Sequence, residues 1–146
     1  YFSNKEDILK TIALQIEKEM RESLIHDGNT LNDLIALGSR YIAFAKNQPE
    51  DYLLLFTSFS SGRRSENEAL PETSAYMVLF NLVSELVESG QLILAKDVGV
   101  EEICYTYWVF LHGHVMMQLT HLKGYDADFE SMETRMLSRF VNSFSS

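Results

Sequence analysis

Apolar residues recur at spacings of three and four along nearly the whole chain, and strand-like alternation is scarce. The pattern predicts six helices. Helix one runs from about Asn4 to Ile25, with the stripe Ile8, Leu9, Ile12, Ile16, Met20 and Leu24. Ser3 stands three residues before Glu6, the spacing of a capping box, and Tyr1 and Phe2 lie just outside. His26-Asp27-Gly28-Asn29 stops the helix. Helix two starts at the cap Thr30, with Asp33 in its first turn, and ends before Pro49. Its stripe is Leu31, Leu34, Ile35, Leu37, Tyr41, Ile42 and Phe44. Helix three opens near Pro49 and runs to about Phe59.

The segment from Ser60 to Leu70 is polar, lacks a hydrophobic face and is expected to be a loop. Helix four spans about Pro71 to Glu88 and stops at Gly90; Gln91 to Gly99 is a connector. Helix five spans about Val100 to Lys123 and stops at Gly124. Helix six starts between Asp126 and Asp128 and continues to about Phe144. Its stripe is Phe129, Met132, Met136, Leu137, Phe140, Val141 and Phe144. Connectors this short favour antiparallel neighbours, so the expectation is one all-α domain over 1–146, a six-helix bundle.

Helix five changes the picture. At about 100° per residue, Tyr105, Trp108, Val109, His112, Met116 and Leu119 share one face. Ile103, Tyr107, Phe110, Met117 and His121 share the opposite face. A helix apolar nearly all round is buried nearly all round. Either it is central, or one face meets the core and another meets a second subunit. Thr106, Gly113 and Thr120 repeat every seven residues on a third side, where small side chains permit close approach.

Composition adds limits. The chain has 146 residues, 46% of them hydrophobic, which suits a folded domain. Its net charge of −9 repels a phosphate backbone, so these residues are not expected to bind nucleic acid themselves. The single cysteine, Cys104, excludes an internal disulfide and fits an intracellular, cytoplasmic protein. No signal peptide is visible. The run from Ile103 to Leu119 is broken by Thr106, His112, His114 and Gln118, too short and polar for a membrane span.

Chemistry-bearing motifs are few. No phosphate loop, nucleophile elbow or dinucleotide fingerprint occurs, so catalysis and cofactors are not expected. His112 and His114 point about 200° apart on a helix and cannot chelate together. No metal site is expected. Cys104 lies in an apolar helix start, where a thiol is inert. Glu50-Asp51 and Glu101-Glu102 oppose the positive ends of helix dipoles.

Three segments carry a resemblance. Phe2-Ser3-Asn4-Lys5-Glu6-Asp7-Ile8-Leu9 resembles the stretch that closes the DNA-binding domain of TetR-family transcriptional regulators. Trp108-Val109-Phe110-Leu111-His112-Gly113 is similar to the Trp-x-x-x-His-Gly motif of one TetR subfamily's C-terminal domain. Pro49-Glu50-Asp51-Tyr52-Leu53-Leu54-Leu55-Phe56 resembles that domain's Pro-x-x-aromatic-x-Leu-x-Phe segment. The resemblance implies an effector-binding and dimerisation domain, with residues 1–3 the tail of a helix-turn-helix domain that this chain lacks. It implies a homodimer whose last two helices form a four-helix bundle with their partners. The interface would use Thr106, Phe110, Gly113, Met117, Met132, Met136 and Phe140.

The resemblance also implies a pocket among the aromatic and methionine side chains. The candidates are Tyr52, Phe56, Phe59, Met77, Phe80, Tyr105, Trp108, His112 and Met116, with Tyr76 beside them. For each one alone, a place in the core is the competing reading, and His112 equally suits a buried structural hydrogen bond. The implied function is transcriptional repression controlled by a small hydrophobic effector, with DNA bound only through the other domain. Two alternatives are a helical protein–protein interaction module and a helical-bundle enzyme with a bound cofactor.

Overall fold

The structure, a computed structural model, describes residues 4–58 and 74–145. Helix α1 covers Lys5–Leu24. Its cap is Asn4, not the expected Ser3: the Asn4 side chain accepts the Asp7 backbone N–H at 3.0 Å. Asparagine caps as well as serine does, so the helix begins one residue later. Only part of the predicted stripe is covered. Ala13, Ile16, Met20 and Leu24 are buried, whereas Ile8 and Ile12 are 42% and 40% exposed.

Helix α2 covers Leu31–Asn47 and opens at the expected cap Thr30, which forms a capping box with Asp33. The Asp33 N–H donates to Thr30 Oγ1 at 3.3 Å, and the Thr30 N–H donates back to Asp33 Oδ2 at 2.8 Å. Thr30's hydrogen bonds hold the Asp33 carboxyl below the usual carboxylate range. Helix α3 is short, Pro49–Leu53, with Pro49 in its first turn as predicted. The backbone then widens into a π-helical turn, Leu54–Ser58, rather than continuing as α-helix. The predicted end at Phe59, the loop 60–70 and the start of helix four at Pro71 lie outside the described residues.

Helix α4 is described over Ala75–Glu88, capped by buried Ser74, whose hydroxyl accepts the Met77 N–H at 3.3 Å. It stops as predicted: Gly90 has φ +77°, and the Leu92 N–H donates to the Leu86 carbonyl at 3.0 Å. Helix α5 covers Val100–Leu119, shorter than expected. Residues 120–124 form a turn in which the Leu122 N–H donates to the Met117 carbonyl at 2.7 Å. Gly124 closes it at φ +83°. Helix α6 covers Phe129–Asn142, with the Asp128 side chain accepting the Ser131 N–H at 3.1 Å. The described residues are therefore all-helical, with six α-helices and no strand.

Helix α2, not α5, is central: it packs against α1, α3, α4, α5 and α6. One close approach fixes its distance from α5. The Tyr107 hydroxyl donates to the Leu34 carbonyl at 2.8 Å, and its path crosses Gly38. A Cβ at position 38 would overlap that hydroxyl. Helix α5 buries one side only, through Ile103, Cys104, Tyr107, Leu111 and Val115. Its opposite side stays uncovered within the chain, with Tyr105 70%, Val109 50% and Met117 47% exposed. The expectation of near-complete burial therefore fails for this chain by itself. No helix among the described residues is long and apolar enough to cross a membrane.

Candidate functional site

A cavity of about 550 Å³ lies where α1, the π-helical turn, the start of α4 and the flank of α5 meet. Among the described residues it is lined by Glu17, Phe56, Ser74, Tyr76, Trp108 and His112. Tyr105, Val109 and Gly113 complete the α5 wall. That volume suits a small molecule. A second crevice runs inward past Tyr76 and Trp108 toward Leu24, Leu37 and Tyr41. It has room for only about 10 Å³, too little for a ligand.

Helical spacing builds the α5 wall. Trp108 and His112 are four apart and stand one above the other, with Tyr105 and Val109 beside them. From α4, Tyr76 stacks on Trp108 with centroids 5.2 Å apart at 24°. The π-helical turn supplies Phe56, whose ring lies 4.6 Å from the His112 ring and 4.7 Å from Tyr52. Such turns recur at functional sites because they re-aim side chains.

His112 is tied to the core behind the cavity. Its Nδ1 lies 2.6 Å from the Tyr52 hydroxyl, which lies 2.7 Å from the Tyr41 hydroxyl. Both tyrosines are buried. Burial pushes the Tyr41 hydroxyl up to about 12 and raises Tyr52 as well, so both stay protonated. Burial also lowers the pKa of His112, which favours the neutral ring at neutral pH. The structural and ligand-facing readings of His112 are thus compatible: one ring nitrogen serves the core and the ring face lines the cavity.

Of the residues predicted for the pocket, Phe56, Tyr105, Trp108 and His112 come together. Tyr52 sits fully buried behind them as the partner of His112. Met77, Phe80 and Met116 are half-buried and are not among the described residues that line the cavity. Phe59 lies outside the described residues. Glu17 and Ser74 were missed, because nothing local in the sequence brings α1 or a helix cap to this place.

The predicted interface residues divide. Thr106, Gly113, Met117 and Met132 are exposed, and nothing within the chain approaches the Cβ position of Gly113. Phe110 and Phe140 are instead stacked on each other, 3.9 Å apart at 8°, so each is partly covered within the chain. Met136 is half-buried.

A second polar cluster, also missed, joins α2, α5 and α6. The buried Glu133 carboxylate accepts from Lys46 Nζ at 2.6 Å, with His114 Nε2 at 2.9 Å and Gln118 Nε2 at 3.2 Å. Burial pushes this carboxyl up, but the hydrogen bonds from Lys46, His114 and Gln118 outweigh it and hold it below the usual range. Burial pushes the Cys104 thiol up to about 12, in keeping with an inert side chain. No group of three or more metal-ligating side chains gathers among the described residues.

The family model for the tetracyclin repressor-like, C-terminal domain matches residues 34–140. Neither a curated protein nor a solved structure matches the chain.

Proposed function

Because the chain belongs to the tetracyclin repressor-like C-terminal domains, we propose that it senses a small, largely apolar effector in the cavity beside Trp108 and His112. The cavity itself carries this reading: about 550 Å³, walled by four aromatic rings and one imidazole. Glu17 places α1 in the same wall as the α5 residues, so an effector would touch the helix nearest the N-terminus. A ligand that binds better with α1 in one position shifts the population toward that position. In a repressor that borrows its DNA contacts from a preceding helix-turn-helix domain, such a tilt would alter the separation of two reading heads. Adjacent major-groove half-sites tolerate little change in that separation.

Dimerisation belongs to the same proposal. The uncovered α5 face with Tyr105, Val109 and Met117, together with Met132 on α6, would pack against the same elements of a second copy in the cytoplasm. The uncovered face also supports a second reading, an interaction module for another protein without a small ligand.

Trp108 is the only tryptophan in the chain, so its fluorescence reports on the cavity. Titration with small aromatic compounds is expected to change that fluorescence saturably and to raise the melting temperature. A cavity that answers no compound in either measurement overturns the effector reading. Sedimentation is expected to give a dimer, and Met117→Glu a monomer with unchanged helicity. A wild-type monomer would favour the interaction module.

A further inference from the structure

The hydrogen-bond relay behind the cavity has a direction, and the direction constrains the ligand. Tyr41 and Tyr52 are both buried, and each hydroxyl carries one proton that needs an acceptor. Among the described residues, the acceptor within reach of the Tyr41 proton is the Tyr52 oxygen, 2.7 Å away. The Trp108 indole, which can only donate, also acts on the Tyr41 oxygen, by a weaker approach than the two bonds of the relay. The Tyr52 proton then has His112 Nδ1, 2.6 Å away, as its acceptor. The reverse direction would leave the Tyr41 proton buried without a partner. An Nδ1 that accepts leaves the neutral imidazole proton on Nε2. Nε2 has no hydrogen-bond partner among the described residues, and His112 lines the cavity.

We propose that the Tyr41–Tyr52–His112 relay presents Nε2–H of His112 to the cavity, and that the effector is a flat, largely apolar molecule with an uncharged carbonyl-type acceptor. This rests on the effector reading given above. The flat shape follows from the stacked Tyr76–Trp108 pair and the Phe56–His112 contact that form the walls. The acceptor is uncharged because Glu17 lies in the same wall and disfavours an anion. Ketones, esters, lactones and amides on a ring system meet these demands; carboxylates, and amines with no acceptor, do not. Tyr52 is a positioning residue: it sets the tautomer without reaching the ligand.

Two measurements on the whole chain test this. The first is ¹⁵N NMR of histidine-labelled protein at neutral pH, with the His112 signal identified by its loss in His112→Leu. A protonated Nε2 and an unprotonated Nδ1 are expected in the wild type. A proton on Nδ1 overturns the proposal without any ligand or variant stability entering. The second compares 1-acetylnaphthalene with 1-isopropenylnaphthalene, in which a methylene replaces the carbonyl oxygen, by calorimetric titration. The ketone is expected to bind about fivefold tighter, the yield of one neutral hydrogen bond. That preference is expected to vanish in His112→Leu and to shrink in Tyr52→Phe. Equal binding of the two probes to the wild type overturns the acceptor claim while the cavity reading stands. Binding of neither overturns the cavity reading itself, and the acceptor claim with it. A preference that survives His112→Leu removes His112 from the role.

Discussion

The two polar networks on α5 lie on different flanks of one helix and differ in kind. Around Glu133 the network is charged and closed: the carboxylate is met by Lys46, His114 and Gln118 from α2 and α5. Around His112 it is neutral and opens on the cavity: two tyrosines lead to a histidine that lines it. A closed network fixes elements against one another, because any movement strands a buried charge. An open one joins a void to the core, so under the proposed function an effector in the void would act on bonds that reach α2 and α3.

Substitutions can separate these roles. The largest effect is expected where both networks share a footing, at the α2–α5 contact. Gly38→Ala drives a methyl into the Tyr107 hydroxyl, and a loss of about 3 kcal/mol is expected in chemical denaturation. Glu133→Ala breaks the closed network and strands Lys46 and His114, an expected loss of about 2 kcal/mol by the same measurement. Tyr52→Phe keeps the ring contacts but strands the Tyr41 proton and His112 Nδ1, at about 1.5 kcal/mol. If Tyr52→Phe cost more than Glu133→Ala, the open network would be the structural clamp and the contrast would reverse.

The smallest effect is the most discriminating, because the two networks respond at opposite ends of the pH scale. The Glu133 carboxyl is lowered from 4.5, so its stabilisation is present above pH 4.5 and is lost as the pH falls through the lowered value. The Tyr41 hydroxyl is raised from 10 to about 12, so its stabilisation is present below pH 10 and is lost as the pH rises toward 12. Glu133→Gln is expected to flatten the acid arm of the stability profile and leave the alkaline arm alone. Tyr41→Phe is expected to leave the acid arm alone and to remove only part of the alkaline arm, because burial also raises Tyr52, Tyr107 and Cys104. Melting temperatures across the pH range measure both.

What could be read in the sequence is what depends on neighbours in sequence. The Thr30 cap, the start of α6 after Asp128 and the glycine stop at Gly90 are local chemistry, and each stands where the pattern put it, whereas α5 ends at Leu119, ahead of the expected stop at Gly124. The cap at Asn4 shows the margin: two capping residues stood side by side, and pattern alone does not choose between them. The Trp108–His112 wall was legible because four-residue spacing fixes a helix face. Its partner Tyr52 lies 60 positions away and Lys46 lies 87 from Glu133, distances over which spacing carries no information. The π-helical turn was hidden for another reason. Leu54 to Ser58 reads as ordinary helix, and nothing in the local pattern marks the wider turn. Helix α5 is legible only in part: its apolar circumference pointed to burial by the core or by a second subunit, and the chain itself covers one side.

The tyrosine wedged over Gly38 acts as a gauge block. Its length sets the gap between two helices, its hydroxyl is bonded to the far wall, and the residue beneath it has no side chain to yield. Helices held apart by a rigid spacer and held together by a buried bond can neither close nor separate. Any give in this fold must therefore come from parts that no such spacer holds. The outer half of α1 is one of them, where Ile8 and Ile12 are exposed.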